Sequence, residues 1–417
     1  MVSGSEWLVA SSIVVGDGSP PLRDHAVRID GGLIVDVIPA AGAPADANDL
    51  GDVTIAPGFV DAHVHLLFDY QPDHEVTRAA VVDSSRDRLL AAAIQHGIEC
   101  LRAGVTTVRD LGDRDGIVAS VRDLIEKGVM LGPRIHSAGT PVTITAGHCG
   151  WLGGLADTPD DLVRLTRTLV AEGSDVIKVM ASGGNMTRES NKLLPQYTVQ
   201  ELRLVVTEAH RGGKPVAAHA LNSEAVRRSI AAGIDTIEHC GWVDEHGDPD
   251  LTEQDLAAMR AAGSVATLTM AGIARQLLPD PDDYNEAARA VALSTSRSGG
   301  DLYLDNDWAR RLIDAGIGVV LASDAGVRFT PFSGFLDTVR CGMVALGIDA
   351  ASAISLATLS AARALREEHR LGSVEAGKVA DLVVLDGAIT EGSTVIGAVR
   401  EVRKGGVIVA RSGVATW

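Results

Sequence analysis

Short apolar runs that predict β-strands alternate with amphipathic stretches that predict helices through the middle of the chain. The candidate strands occupy residues 59–65, 105–110, 134–139, 175–180, 215–219, 234–239, 265–269 and 317–323. An amphipathic stretch follows each of them, which gives eight strand–helix units. Eight parallel strands close a barrel with its helices outside. The alternation therefore predicts an α/β fold in the form of a (β/α)8 TIM-like barrel.

Both ends of the chain differ from this middle part in their sequence pattern. They contain short strand candidates separated by glycine and polar residues, without a helical period. Two separate small sheets would each bury too little surface. We therefore expect one β-sandwich domain formed by both termini, residues 1–56 and 371–417, beside a catalytic barrel domain at residues 57–370. The weakly patterned stretch 270–304 fits either a lid over the barrel mouth or a plain surface excursion.

Composition excludes several classes of partner. The formal charge is −18 at pH 7, whereas nucleic acids and anionic membranes require clustered lysine and arginine. The four cysteines are widely spaced and form neither a zinc motif nor a disulfide framework, which favours a reducing compartment. The sequence shows no basic and apolar leader and no apolar run that predicts a membrane span. We expect a soluble, cytoplasmic protein.

The first barrel strand ends in two histidines, within Pro57-Gly-Phe-Val-Asp-Ala-His-Val-His65. Side chains two residues apart on a strand point to the same face, so His63 and His65 lie together. Two neutral imidazoles on one face form a chelating pair for a divalent metal such as zinc. A packed pair without a metal has the same spacing, and the other strand ends decide between these interpretations.

Further polar residues stand at the carboxyl ends of the other strands, where the active site of such a barrel lies. Lys178 interrupts an apolar strand, where an unpaired ammonium is costly. His219, His239 and Asp324 end the fifth, sixth and eighth strands. Four histidines, one lysine and one aspartate thus converge on one rim. For Lys178, an ordinary buried ion pair, for instance with Asp61, is the alternative interpretation.

This ordered set resembles the amidohydrolase superfamily of metal-dependent hydrolases, as do the His63 motif and Gly377-Lys-Val-Ala-Asp-Leu-Val-Val-Leu385. The resemblance implies a distorted (β/α)8 barrel with a β-sandwich. It also implies two divalent metal ions. The donor set favours zinc, and manganese, iron or cobalt are the alternatives. Carbon dioxide would be bound to Lys178 as a carbamate that bridges the two metals. The implied ligands are His63, His65 and Asp324 for one metal, His219 and His239 for the other, and Lys178 for both.

The same resemblance implies hydrolysis of an amide-type C–N bond in a small-molecule substrate by metal-activated hydroxide. Asp324 is expected to take a proton from the attacking water and deliver it to the leaving nitrogen. His148, in the glycine-flanked loop after the third strand, is expected to donate a hydrogen bond to the developing oxyanion. A loop histidine packed near Trp151 is the alternative for His148.

A narrower resemblance, to the imidazolonepropionase-related branch, rests on four segments: Val176–Gly184, Ala217–Ala220, Ile237–Cys240 and Ser323–Gly326. That branch includes binuclear dipeptidases and carboxypeptidases acting on Xaa-Pro or Xaa-Arg/Lys substrates. A tyrosine that commonly follows their strand-5 His-Ala is replaced here by Leu221-Asn222, which makes peptidase activity uncertain. The candidate substrate-binding residues are His148, Asn222 and Arg328; Arg328 would pair with a substrate carboxylate or, alternatively, with a surface acid.

Other functions fit the sequence to different degrees. Hydrolysis of a non-peptide cyclic amide, urea, carbamate or lactone competes evenly with cleavage of a dipeptide or N-acyl amino acid. A mononuclear deaminase is disfavoured, because Asn222 replaces the expected glutamate and Lys178 is present. A non-catalytic scaffold would have lost metal ligands, which this chain keeps. A homo-oligomer is an expectation from the resemblance only.

Two acidic residues close to these ligands receive separate predictions. Asp61 lies two residues before His63, so its side chain should point to the same face of the strand as His63 and His65. We expect it to orient a ligand. Glu238 directly precedes His239, so the two side chains should point to opposite faces of the strand. Burial or a contact with a helix is therefore expected for Glu238.

Overall fold

The computed structural model of the chain describes residues 5–270, 308–412 and 414–415. The stretch 270–304, for which a lid and a surface excursion were the two interpretations, lies outside these ranges apart from its first residue. The described strands are β1 (Glu6–Ile13), β2 (Leu22–Asp30), β3 (Leu33–Pro39), β4 (Asn48–Asp49), β5 (Val53–Pro57), β6 (Phe59–Val64), β7 (Val105–Asp110), β8 (Arg134–Ser137), β9 (Ile177–Met180), β10 (Val216–His219), β11 (Thr236–Glu238), β12 (Val265–Thr269), β13 (Val319–Ala322), β14 (Leu382–Asp386), β15 (Val399–Lys404), β16 (Val407–Arg411) and β17 (Val414–Ala415). The described helices are α1 (His74–Asp83), α2 (Arg86–Arg102), α3 (Ile117–Glu126), α4 (Pro159–Ala171), α5 (Val199–Arg211), α6 (Ser223–Ala232), α7 (Glu253–Ala262), α8 (Trp308–Asp314), α9 (Phe335–Leu346), α10 (Ala350–Leu356) and α11 (Leu359–Ala364).

Strands from the two ends of the chain meet in one sheet. β5 pairs in parallel with β1 and antiparallel with β14, so the order is β17-β16-β15-β14-β5-β1-β2-β3, with β4 on β1. Side chains alternate along β14, so Leu382 and Val384 enter a separate apolar cluster of this sheet, while Val383 and Leu385 join the main core. In the described residues the termini thus form a single nine-stranded sheet, and the two stacked sheets of the predicted sandwich are not seen.

The middle of the chain forms two parallel sheets, in the orders β6-β7-β8 and β9-β10-β11-β12-β13. Each predicted barrel strand is present, close to its predicted bounds. Single parallel bridges, Val142 with Val179 and Val64 with Ala325, connect the two sheets at both joints. The arrangement is a mixed α/β, TIM-barrel-like fold. Its ladder is not continuous at these joints, so the pairing does not show the fully closed barrel that the sequence predicted.

The helices begin where local chemistry predicts and bury one face each. Thr158 and Thr252 cap the N-termini of α4 and α7 through their side-chain oxygens. The buried face of α5 shows helical spacing and consists of Leu202, Val205, Val206 and Ala209. Packed in this way, the helices fix the strands so that the residues at their carboxyl ends share one rim.

Within the described ranges no single helix is long and apolar enough to cross a membrane. One pair of helical segments, Phe332–Leu346 and Ala350–Ala364, is long and apolar enough when the two are taken together, but the pair is bent by 118° at the break between them.

Candidate metal centre

The structure brings the six predicted ligands together at the strand ends. They are His63 in β6, His65 directly after it, Lys178 in β9, His219 at the end of β10, His239 directly after β11 and Asp324 shortly after β13. The ring centres of His63 and His65 are 5.3 Å apart, and those of His219 and His239 are 4.7 Å apart. The rings of His63 and His239, from different sheets, are 5.1 Å apart. All four histidines are buried.

His63, His65 and Asp324 form a compact group of potential ligands. Each offers one ligand atom, and these atoms lie within 4.8 Å of one another. Oδ1 of Asp324 is 3.3 Å from His63 Nε2 and 3.2 Å from His65 Nε2. Burial, and after it the charge of Lys178, lowers the pKa of His63 to about 4, so this imidazole is neutral at pH 7. Neutral imidazoles with one carboxylate are a donor set that zinc accepts.

The hydrogen bonding of His63 supports a cation at this group. Its Nδ1 lies 2.9 Å from Oε2 of Glu238. A carboxylate only accepts hydrogen bonds, so Nδ1 carries the proton and Nε2 presents a lone pair. That lone pair faces Oδ1 of Asp324 at 3.3 Å, a contact between two acceptors. A divalent cation would turn this repulsive contact into ligation, so these residues fit a metal ion.

His219 and His239 are each anchored through one ring nitrogen. Nε2 of His219 lies 3.1 Å from the carbonyl oxygen of Gly183 and must donate to it, which leaves Nδ1 as a potential ligand. Nδ1 of His239 lies 2.8 Å from the hydroxyl of Thr269. Burial is the main cause that lowers the pKa of His239 to about 3 and the pKa of His219 well below its ordinary value. Both imidazoles are therefore neutral, the state that binds metal.

Lys178 has the surroundings expected of a reactive amine. It is 1% exposed, and its Nζ has no hydrogen-bond partner in the described part of the chain. Burial lowers its pKa to about 8, so neutral amine is accessible in mildly alkaline solution. Asp61, the partner considered from the sequence, instead accepts from the backbone nitrogens of His63 and Ser323 and from the Ser323 hydroxyl. Asp61 thus holds backbone beneath the site and does not orient a ligand ring.

Two of the candidate ligands have a left-handed backbone. The φ angles are 57° for Asp324 and 65° for His239, a region that costs a non-glycine residue about 1–3 kcal/mol. Hydrogen bonds hold both in place: Asp324 N donates to the carbonyl of His63, and His239 N donates to that of Thr267, each at 2.9 Å. The chain therefore turns at these positions, and strand alternation no longer fixes where the two side chains point.

His148 stands beside the cluster, and its hydrogen bond to the developing oxyanion stays a prediction. Its ring centre is 4.4 Å from that of His219, and its backbone nitrogen donates to Oε1 of Gln196 at 2.7 Å. Gly184 provides the space for the ring, because a Cβ at that position would lie 2.5 Å from it. Burial lowers the pKa of His148 to about 3, so it can donate from one nitrogen as a neutral imidazole.

The other two predicted substrate residues lie in different settings. Asn222 is 1% exposed and caps α6, accepting from Ala225 N at 2.9 Å and donating to the Lys192 carbonyl at 2.9 Å. Its carboxamide therefore has a structural role, and its contact with substrate stays a prediction. Arg328 lies in the loop after β13, with its guanidinium 5.5 Å from the ring centre of Phe329. Its substrate contact also stays a prediction.

Glu238 is the residue of this site that the sequence did not indicate. Alternation from His239 suggested that Glu238 points elsewhere, yet its carboxylate contacts both His63 and Arg109. The reason is the left-handed turn at His239, which lies beyond the end of β11. A signal was present in the sequence: Arg109 stands inside the apolar strand β7 and requires a buried acidic partner.

Parallel strands with histidines and an aspartate at their carboxyl ends are typical of metal-dependent hydrolases built on a TIM-like barrel. Residues 54–410 match the amidohydrolase family, and the chain belongs to that family. It is accordingly a hydrolase that acts on carbon–nitrogen bonds. The resemblance noted from the sequence is thereby confirmed.

Individual relatives span nearly the whole chain. Ochratoxinase of Aspergillus niger is 27% identical over 98% of this chain and 88% of that protein. Imidazolonepropionase of Micrococcus luteus is 28% identical over 88% of both proteins. A solved Xaa-Pro dipeptidase, with methionine bound in its active site, is 28% identical, has a TM-score of 0.81 and covers 97% of this chain and 99% of that one.

Proposed function

We propose that this chain is a binuclear metal-dependent hydrolase that cleaves the amide bond of a dipeptide or an N-acyl amino acid. The observation that carries this proposal is Lys178, a buried amine without a hydrogen-bond partner among the described residues, in a strand flanking the histidine cluster. Such an amine is costly unless it is converted to a group that the site can bind. The similarity to a Xaa-Pro dipeptidase supports the choice of a peptide-like substrate.

The ligand assignment follows the donor atoms. His63, His65 and Asp324 would hold one ion, His219 and His239 the other, and Lys178, as its carbamate, both. Zinc suits neutral imidazoles combined with carboxylates, and manganese, iron and cobalt are compatible with the same set. When bound, such ions lower the pKa of water and polarise a carbonyl.

The residues of the chain supply the proton transfers and the orientation. Asp324 has one oxygen between two imidazoles and a second oxygen with which to accept a proton from the attacking water and return it to the leaving nitrogen. His148 would donate a hydrogen bond to the oxygen of the scissile carbonyl as negative charge develops there. Arg328 would pair with the substrate carboxylate and set which end of the substrate enters first.

The domain division and the compartment belong to the same proposal. Residues 57–370 would form the catalytic domain, and residues 1–56 with 371–417 a β domain built from both termini. The antiparallel pairing of β5 with β14, which brings both ends together, supports this division. All four cysteines are buried, and no disulfide joins them in the described part of the chain, which fits the reducing environment of the cytoplasm.

A second candidate is hydrolysis of a non-peptide cyclic amide, urea, carbamate or lactone. It is favoured by the segment Leu221-Asn222, which stands where the related peptidases have a tyrosine and in which Asn222 is occupied as a helix cap. The presence of an imidazolonepropionase among the relatives supports the same candidate.

Metal analysis with a substrate screen tests the proposal. Protein purified with bicarbonate and zinc should hold about two metals per chain and hydrolyse dipeptides or N-acyl amino acids. Activity on cyclic amides or ureas alone would select the second candidate. One metal per chain would contradict the binuclear assignment and leave Lys178 with a structural role.

Substitution of the first two histidines tests the location of the site. The double variant His63→Ala/His65→Ala should lose metal and activity while keeping its fold, measured by metal analysis and far-UV circular dichroism. The control is His246→Ala, which removes an exposed imidazole from a surface loop. If the double variant stayed active, the site would lie elsewhere.

A further inference from the structure

A buried ion pair crosses the interior of the parallel strands beneath the candidate metal centre. Arg109 on β7 is 1% exposed and Glu238 on β11 is fully buried. Arg109 Nη2 donates to Glu238 Oε1 at 2.8 Å, while its Nε donates to the Ala62 carbonyl at 2.7 Å. Its Nη1 donates to the hydroxyl of Thr236 at 3.1 Å. The guanidinium is thus fixed by two strands, β6 and β11, and cannot turn away from Glu238.

The two oxygens of Glu238 have different partners. Oε1 accepts from Arg109 and from the hydroxyls of Thr236, at 2.7 Å, and Thr267, at 3.4 Å. Oε2 lies 2.9 Å from Nδ1 of His63. The guanidinium of Arg109 is permanently charged and pairs with Oε1 at 2.8 Å, so Glu238 is an ionised acceptor. His63 must therefore present an N–H to Oε2.

We propose that Arg109 and Glu238 are positioning residues that hold His63 in the tautomer protonated at Nδ1, which keeps Nε2 available to a metal ion. This inference rests on the proposed metal centre. Glu238 sets the tautomer by accepting the hydrogen bond from Nδ1 of His63, and Arg109 holds the carboxylate of Glu238 in that orientation. Hydrogen-bonded partners of this kind tune the affinity of a histidine for metal.

The neutral variant Glu238→Gln reveals why the charge matters. A glutamine side chain has one accepting end and one donating end, while Arg109 can only donate. The amide oxygen must therefore face Arg109, and the amide NH2 faces His63. Nδ1 of His63 then has to accept a hydrogen bond, which moves its proton to Nε2, the atom that faces Asp324 at 3.3 Å. That nitrogen has to lose the proton before it can bind metal.

Zinc affinity, measured by competition with a chromophoric chelator, is the first readout. Glu238→Gln should raise the zinc dissociation constant about 10- to 100-fold. The matched control Thr267→Val removes the 3.4 Å bond to Oε1 and leaves the His63 contact in place, so its zinc affinity should not change. The double variant Arg109→Gln/Glu238→Gln should recover part of the affinity, because a neutral partner at 109 lets the amide oxygen face His63. Failure to recover any affinity would overturn the tautomer mechanism.

The tautomer itself is the second readout, and it does not depend on metal binding. Nitrogen NMR of metal-free protein with labelled histidine should show His63 protonated at Nδ1, its signals identified by their absence from His63→Ala. In Glu238→Gln the proton should move to Nε2. If His63 of the unmodified chain carries its proton on Nε2, the inference is wrong, whether or not Glu238→Gln folds. If the tautomer is as expected but no zinc binds, the inference stands and the proposed function fails.

Discussion

Replacing Lys178 with methionine should make the metal-free protein more stable while it removes the proposed two-metal site. Burial lowers the pKa of Lys178 to about 8. Compared with the ordinary value of about 10.4, this shift corresponds to about 3 kcal/mol of unfavourable free energy for the charged amine in the folded protein. Methionine has similar length without charge, so Lys178→Met should raise the free energy of unfolding at pH 7 by up to about 3 kcal/mol.

The same shift predicts how this difference depends on pH. The pKa of Lys178 in the folded protein lies below its value in the unfolded chain. The cost of the charged amine is therefore fully present below pH 8 and disappears as the pH rises through about 10.4. The stability advantage of Lys178→Met should shrink over that pH range.

Urea unfolding of chelator-treated protein, together with metal analysis, measures both effects. Lys404 provides a matched control, because burial also lowers its pKa to about 8 while its Nζ donates to the Gly132 carbonyl at 2.6 Å. Lys404→Met removes the buried charge but also loses this hydrogen bond, and the two effects offset each other. The free energy of unfolding should therefore change by less than about 1 kcal/mol, and the metal content should stay complete. A Lys178→Met variant that is less stable than the parent protein, or that still holds two metals, would refute the reasoning.

Three further substitutions test the substrate side of the site. Gly184→Ala places a methyl group 2.5 Å from the His148 ring and should lower kcat by up to about 100-fold with unchanged metal content; a normal kcat would remove His148 from the mechanism. Asn222→Ala should lower the free energy of unfolding in urea by about 1 kcal/mol, because the helix loses its cap. A higher KM, and not this loss of stability, would show that Asn222 contacts the substrate. Arg328→Met should raise KM for a dipeptide but not for its C-terminal amide; equal effects on both would exclude a carboxylate contact.

The proximity of the candidate ligands could be predicted because their placement depends on local rules. Alternation along β6 puts His63 and His65 on one face, and their rings are 5.3 Å apart. Parallel strands end at one rim, so Lys178, His219 and Asp324 could be assigned to the same site without knowledge of any contact. These assignments need only the order of the strands and the position of each residue in its strand.

Contacts across the barrel interior could not be predicted in this way. The bond between Glu238 and His63 joins residues 175 positions apart, and it depends on how β11 and β6 face each other. The left-handed backbone at His239 also removed the alternation from which the direction of Glu238 was judged. Similarly, the strand-like sequence pattern of both termini indicated a shared β domain. That they form a single sheet depends on the long-range pairing of β5 with β14, which the pattern does not show.

The structure implies that stability and metal loading are coupled. Without metal, the site contains a buried amine, two acceptors in contact at Asp324 and His63, and left-handed backbone at Asp324 and His239. Two ions, each present at 100 times its dissociation constant, together stabilise the folded state by about 5 kcal/mol. That gain exceeds the cost of about 3 kcal/mol derived above for the charged Lys178. Loaded parent protein should therefore unfold at a higher urea concentration than Lys178→Met, whereas metal-free parent protein should unfold at a lower one.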